Sequence, residues 1–170
     1  MPDNTTTATP IGKLKRSHLL HYIDANFGVG TPNWFRIGKD IEDMSVNLNA
    51  ETETKKNIWD ETVTNDKGYS PSVEVNTYYA NTDDSIYEKI KAIAMNRLTG
   101  DDCKTKILEV WVDKTEAPFD AWTEDILVKP QSYGGPQGGV NIPYNISFDG
   151  NRTDGTVTIT NKVPTFTANS

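Results

Sequence analysis

The sequence predicts a mainly β protein, an antiparallel β-sandwich or barrel with one α-helix and a long β-hairpin loop. Seven or eight short stretches have the alternation or composition of strands, and several alternate apolar and polar residues as half-buried strands do. One stretch near residues 85–98 instead spaces its apolar side chains at helical intervals. Glycine, proline, asparagine and aspartate separate many of these stretches, which favours short turns and antiparallel pairing.

The composition fits one globular domain with a large polar surface. The chain has 170 residues, of which 35% are hydrophobic and 24% are charged, and this length is sufficient for a sizeable core. Its formal net charge of -7 argues against gripping nucleic-acid phosphates, which requires clustered lysine and arginine. We expect a flexible arm at residues 1–16, a single domain at 17–163 and a carboxyl-terminal tail at 164–170.

The amino-terminal third is predicted to contain one strand and a loop before the long hairpin. The first is expected at residues 19–23, followed by a loop at 26–33 that contains two glycines and a proline. Residues 34–37 then lead into the hairpin. The chain begins without the basic and apolar regions of a signal peptide, and no stretch approaches the length of a transmembrane helix, so no membrane partner is expected.

The long hairpin is the feature around which the chain is organised. Its arms, residues 44–49 and 72–79, both alternate apolar and polar side chains. Between them lies a polar loop, residues 51–68, whose only adjacent large apolar pair is Ile58 and Trp59. Because a long connection without its own core is usually functional and a two-stranded ribbon is marginal in water, we expect this loop to contact a neighbouring subunit.

The carboxyl-terminal half is predicted to consist of the helix and several strands. A capping-box pattern begins the helix at Ser85, and Gly100 is expected to end it. Strands are expected at residues 106–112, 121–128, 141–148 and 156–160. Asp149-Gly150 is the predicted turn between the last two.

Chemistry-bearing residues are few, and they predict neither an enzyme nor a metal or cofactor site. His18 and His21 are expected on opposite faces of a strand and so cannot readily share a metal. Cys103 is the single cysteine, which allows no intrachain disulfide and is compatible with a reducing cytoplasm. Two preceding aspartates disfavour its thiolate. Residues 149–155 lack the glutamate that completes a calcium loop.

Three stretches carry a resemblance to a known family. They are RIGKDIEDM at 36–44, NAETETKKNI at 49–58 and GYSPSVEV at 68–75, and a Tyr-Tyr-Ala run follows at 78–80. Together they resemble the major tail tube proteins of long-tailed, non-contractile bacteriophages, and the likeness extends from about Arg36 to Asn161. The resemblance implies the phage tail tube fold, with hexameric rings stacked into a hollow tube through which double-stranded DNA passes without specific binding.

The resemblance also implies partners and a location. The partners would be further copies of the chain, a tape measure protein, and tail tip or terminator proteins. No cofactor is implied. The protein would be made in the bacterial host cytoplasm and would reside in the virion.

Two sets of residues are candidates for sites in such a tube. The polar side of the hairpin arms predicts a lumen-facing set of Asn47, Asn49, Glu51, Glu74 and Asn76, whose lack of lysine and arginine would keep DNA from adhering. A solvated outer face explains the same residues. The predicted inter-ring stacking set is Thr54, Lys55, Lys56, Ile58, Trp59 and Tyr69, where burial of the apolar members would drive association.

Two other functions remain open from the residues. A monomeric β-sandwich could bind carbohydrate on a platform of Trp34, Trp59, Trp111 or Trp122, since sugars stack on exposed aromatic rings. The ring-forming tube protein of type VI secretion would share the fold of a tail tube protein and would stop at rings or stack weakly.

Overall fold

The computed structural model describes residues 9–170. It confirms the predicted fold class: the chain is mainly β, with one curled antiparallel sheet of eight strands, a separate two-stranded sheet and one α-helix. The strands are β1 (Leu19–Asp24), β2 (Trp34–Ile37), β3 (Val46–Asn47), β4 (Ala50–Lys56), β5 (Thr62–Tyr69), β6 (Ser72–Val75), β7 (Lys104–Trp111), β8 (Phe119–Pro130), β9 (Tyr144–Thr160) and β10 (Val163–Ala168). The helix is α1 (Tyr87–Asn96), and short 3-10 helices occupy Arg16–His18 and Gly100–Cys103.

Strand β9 organises the large sheet, whose order is β2-β1-β7-β8-β9-β6-β3. One edge of β9 pairs with β8 along its length. The other edge takes β6 at Tyr144–Ser147 and β10 at Gly155–Thr160. Register shifts beside Asp125 mark a bulge, and bulges increase local twist and bend a sheet. The sheet therefore curls enough to support a separate core on each face.

Alternation along the central strands directs side chains into two cores. On the paired strands β1 and β7, Ile23 and Ile107 enter the first core, whereas their neighbours Tyr22 and Leu108 enter the second. The first core also contains the buried residues of β6, the helix and Met44. The second is flanked by Phe166 of β10 and other partly buried residues.

The helix packs on the first core as its spacing predicts, with Ile86, Ile90 and Ile93 buried. Its predicted ends are wrong. The helix begins at Tyr87 after Ile86, and no side-chain cap is formed. It ends where Arg97 adopts the left-handed conformation at φ 51° and donates its N–H to the carbonyl of Ile93. The predicted terminator, Gly100, instead opens a 3-10 helix.

Strand β9 and the carboxyl terminus differ from the sequence prediction. Asp149-Gly150 is not a turn: β9 continues through it, with Gly150 opposite Asp125 beside the bulge. The predicted tail at 164–170 is for the most part strand β10, which pairs with β9. The hairpin between them turns at Asn161-Lys162, with both residues at positive φ as a tight two-residue turn requires.

The predicted flexible arm is partly paired with the body. The Ile11 N–H donates to the Asp113 carbonyl at 3.0 Å, and the Thr115 N–H donates to the Thr9 carbonyl at 3.0 Å. Residues 1–8 of the predicted arm lie outside the described residues. These hydrogen bonds attach the segment that precedes β1 to the loop that follows β7.

Candidate assembly surfaces

The predicted polar loop is a regular β-ribbon formed by β4 and β5. Its register extends from Ala50 opposite Tyr69 to Lys56 opposite Thr62, with one bulge after Glu51. The ribbon forms its own sheet and does not join the eight-stranded one. Nearly all of its residues are exposed, so it projects from the body with little burial to stabilise it.

Charged and hydroxyl pairs hold the two strands of the ribbon together. The Glu53 carboxylate is 2.9 Å from the amines of both Lys55 and Lys67. Their hydrogen bonds lower the pKa of Glu53 below its usual value. The Thr54 and Thr64 hydroxyls lie 3.2 Å apart across the strands. Exposed pairs of this kind add little stability, so they fix the ribbon only weakly.

The tip of the ribbon is a turn built on the side chain of Asn57. Its Oδ1 accepts hydrogen bonds from the N–H groups of Trp59 at 2.9 Å and Glu61 at 3.0 Å, and its Nδ2 donates to the Glu61 carboxylate at 2.9 Å. Asp60 takes the left-handed conformation at φ 61°. This turn leaves Ile58 94% and Trp59 76% exposed. Asn57 was not singled out from the sequence, although an asparagine that begins a tight turn is a known signal.

The structure places the six predicted stacking residues on the ribbon, and all are exposed. Five of them, Thr54, Lys55, Lys56, Ile58 and Trp59, lie in its outer half or at its tip. Tyr69 lies at the root, opposite Ala50, and is therefore separated from the others by the length of the ribbon. The set is not one patch, and an outer and an inner contact region must be distinguished.

The predicted lumen-facing residues are also all exposed, but they divide between two sheets. Asn47 on β3 pairs with Ser72, and Glu74 on β6 pairs with Asn145 of β9. Asn76 follows the end of β6. Glu51 lies on the ribbon opposite Gly68, beyond the bend at Asn49.

Asn49 has a structural task in addition to its exposure. At φ 48°, its Nδ2 donates to the Ser70 carbonyl at 2.9 Å and to the Ser72 hydroxyl at 3.1 Å. These bonds fasten the root of the ribbon to the large sheet. Asn49 therefore holds the ribbon root in position, although its side chain is also exposed at the surface.

The polar face around Glu74 is wider than the sequence indicated. Directly paired residues of antiparallel strands share a face, so Ser72, Asn145 and Ser147 extend it across β6 and β9. Val73 and Val75 point the other way and are buried in the first core. The members from β9 were missed because their pairing with β6 is long-range and leaves no local pattern.

A cleft of about 450 Å³ opens beside the root of the ribbon. It lies between the segment around β3 and the face of the sheet that carries β1 and β7. Its large apolar lining residues are Leu19, Met44, Val46, Leu48, Trp111 and Phe148. Leu48 is 56% and Trp111 39% exposed, so part of this apolar lining faces solvent. The cleft has no signal in the sequence, since its walls come from six separate parts of the chain.

Charged groups lie at the floor and rim of the cleft. The His21 imidazole is 2% exposed, and its Nδ1 lies 3.4 Å from the Glu109 carboxylate without forming a hydrogen bond.

Glu124 lies 3.7 Å from Arg152, whose guanidinium stacks over the Trp122 ring. Burial raises the pKa of Glu124, and the charge of Arg152 opposes this effect. Arg16 donates to the Leu19 and Met44 carbonyls and so forms the rim.

The tryptophans do not form a common platform. Trp59 lies at the ribbon tip, Trp34 packs against the second core, and Trp122 is covered by Arg152. Within residues 9–170 no group of three histidine, cysteine or carboxylate side chains could hold a metal ion. Among the described elements, no helix has the length and apolar character needed to cross a membrane.

Comparisons with known proteins relate the fold to a tail tube. No protein-family model matches the chain, and no curated protein matches it. Six chains of solved structures do match. One is the SPP1 tail tube, solved by solid-state NMR and electron cryomicroscopy, with a TM-score of 0.51 and 15% sequence identity. The match covers 84% of this chain and 78% of that chain, and at this identity it shows a shared fold.

Proposed function

We propose that the chain is the structural subunit of a bacteriophage tail tube, in which hexameric rings stack around a lumen through which DNA passes. The observation that carries the proposal is the projecting, largely exposed β4–β5 ribbon on a fold that the SPP1 tail tube shares. A ribbon that buries so little surface adds little stability to a monomer. A subunit of a polymer can use it as a contact between copies.

Each candidate surface has a defined role in the proposed tube. The face with Asn47, Glu74 and Asn76 lines the lumen, and these three amide and carboxylate side chains offer no cation to DNA phosphates. The outer half of the ribbon, with Ile58 and Trp59, reaches the adjacent ring. Burial of these two side chains removes apolar surface from water at about 25 cal/mol per Å2.

The remaining partners follow from the same assignment. A tape measure protein would occupy the lumen before DNA does, and tail tip and terminator proteins would cover the two ends of the tube. The subunit would be made in the bacterial host cytoplasm and would function in the virion. Catalysis and cofactors have no part in the proposal.

Negative-stain electron microscopy of the concentrated, purified chain tests this function. Tubes or rings of uniform diameter are the expected result. Dispersed monomers at every concentration, together with binding on a glycan array, would instead support a carbohydrate-binding module. Rings that never stack would favour the type VI secretion alternative.

A further inference from the structure

We infer that the tip of the ribbon, residues 57–61, docks in the cleft at the ribbon root of another copy of this chain. The inference rests on the proposed tail tube function and names the two surfaces that meet between rings. It assigns Ile58 and Trp59 as the anchors and the cleft beside Leu48 as their receptor.

The tip is suited to docking because its shape exists before contact. Three hydrogen bonds from the Asn57 side chain fix the turn that holds Ile58 and Trp59 outward. A preorganised turn loses less conformational entropy on binding than a flexible loop does. Within residues 9–170, Ile58 and Trp59 are the two most exposed large apolar side chains. Tryptophan is also the residue type most enriched at the centres of interfaces.

The cleft offers this tip a matching apolar surface. Its volume of about 450 Å³ and its six large apolar lining residues provide space and contacts for both anchors. An indole that becomes buried needs an acceptor for its N–H. The carboxylates of Glu109 and Glu124, whose side chains are largely buried at 12% and 13% exposed, line the same cleft and can supply one.

The charges at the edges of the two surfaces are complementary. The tip bears Asp60 and Glu61 directly after the anchors, and both are exposed. The rim of the cleft bears the guanidinium groups of Arg16 and Arg152, and half of the Arg152 side chain is exposed. Opposite charges at the rim of an interface fix its register and speed association.

The geometry requires that the two surfaces belong to different copies. Leu48 and Pro71 line the cleft and flank the root of the ribbon, whereas the tip lies at its far end. The seven residues of β4 span about 23 Å at 3.3 Å per residue, and no residue of the ribbon lines the cleft, so the tip does not occupy the cleft of its own copy. A contact between two different surfaces is heterologous, and it produces an open stack when the rotation between copies does not close into a ring. This is the propagation that a tube requires.

Cross-linking between two variants that each carry one added cysteine tests the contact. Ser45→Cys places a thiol in the cleft and Thr62→Cys places one at the start of β5 beside the tip, and neither removes an apolar anchor or a hydrogen bond of the tip turn. The native Cys103 is fully buried and common to all samples. The two variants are mixed, assembled into tubes and treated with a short bismaleimide. The matched control replaces Ser45→Cys with Ser85→Cys, an equally small change at an exposed position before the helix.

We expect covalent dimers from the Ser45→Cys and Thr62→Cys mixture only, and only in the tube fraction. Tubes without this cross-link, or with equal cross-linking in the control, would overturn the inference and leave the tail tube function standing. If the unmodified chain forms neither tubes nor rings, the proposed function fails and this inference fails with it.

Truncation of the anchor gives an independent readout. We expect Trp59→Ala to raise the critical concentration for tube formation about thirtyfold, because a central interface anchor contributes about 2 kcal/mol. Asn57→Ala should act in the same direction by loosening the turn. Val63→Ala, an exposed change on the shaft of the ribbon, is the control and should have little effect. An unchanged critical concentration for Trp59→Ala would refute the docking.

Discussion

Three asparagine side chains hold the irregular parts of this chain in place. Asn57 builds the ribbon tip, and Asn49 fastens the ribbon root to β6. Asn141 accepts from the Tyr78 N–H at 2.8 Å and donates to the Asn76 carbonyl, which joins the segment after β6 to the segment before β9. Each amide satisfies backbone groups where strand pairing stops. Asn49, which suggested a polar surface in the sequence, is therefore also structural.

Gly155 lies where β10 approaches β9 too closely to leave room for a side chain. A Cβ at this position would overlap the Thr167 carbonyl and come within 2.6 Å of the Phe166 ring. We expect Gly155→Ala to lower the free energy of unfolding by about 1–3 kcal/mol, because β10 must move away from the second core. Urea unfolding measures the change. Gly138→Ala, with no atom within 4 Å of its added Cβ, is the control, and an equal effect of both changes would contradict the argument.

The burial of Glu124 makes the stability of the body depend on pH. Burial raises its folded pKa above the usual value of 4.5, so the folded state binds this proton more tightly than the unfolded state does. Ionisation of Glu124 therefore opposes folding, and its cost grows as pH rises from about 4.5 through the folded pKa. We expect the free energy of unfolding of Glu124→Gln to exceed that of the unmodified chain. The difference should grow as the pH rises across that interval and stay constant at higher pH. Urea unfolding at several pH values measures it.

The control for this pH dependence is Glu88→Gln, an exposed change on the helix that alters the net charge equally. It should not reproduce the rise across the same interval. A stability difference for Glu124→Gln that is the same at every pH would show that the carboxylate is not held in a desolvating site.

The helix and the central strands could be predicted from sequence because burial imposes a local period. Ile86, Ile90 and Ile93 mark the helix at helical spacing, and β7 and β8 include the stretches expected as strands. The ribbon could not be predicted as two regular strands, since exposure on both sides removes any apolar alternation. Strand β10 follows a turn of Asn161-Lys162, which lacks the glycine that usually signals such a turn. The cleft depends on long-range contacts and has no local signal.

The ribbon should be removable without loss of the body. Deleting residues 52–67 and joining Glu51 to Gly68 through Asn-Gly fits the register, because these two residues are already paired. We expect circular dichroism of the body to stay close to that of the full chain, since neither core includes a residue of the deleted segment. Tubes should disappear from electron micrographs. Long tubes formed by the deletion variant would mean that stacking uses another surface.

At the scale of the whole molecule, the cores that stabilise the fold and the surfaces proposed for assembly lie in different places. Two cores on opposite faces of one curled sheet stabilise the body, and the ribbon contributes to neither. The polar face around Glu74 is backed by the first core, because Val73 and Val75 on the same strand are buried there. The helix packs on that core and so lies on the opposite side of the sheet from Glu74. A change of charge at Glu74 therefore alters a surface without disturbing the packing.

The lumen assignment predicts the consequence of reversing that charge. In the proposed ring of six, Glu74→Lys places six cations on the wall of each ring, and stacking repeats them along the tube. Duplex DNA carries one negative charge about every 1.7 Å, and each lysine that neutralises a phosphate adds a favourable counterion-release contribution. We expect normal tubes but slow DNA release from complete particles at low salt, with recovery at high salt. Glu88→Lys, the same change on the helix side, should release DNA normally. Normal release from Glu74→Lys particles at low salt would assign this face to the outside of the tube.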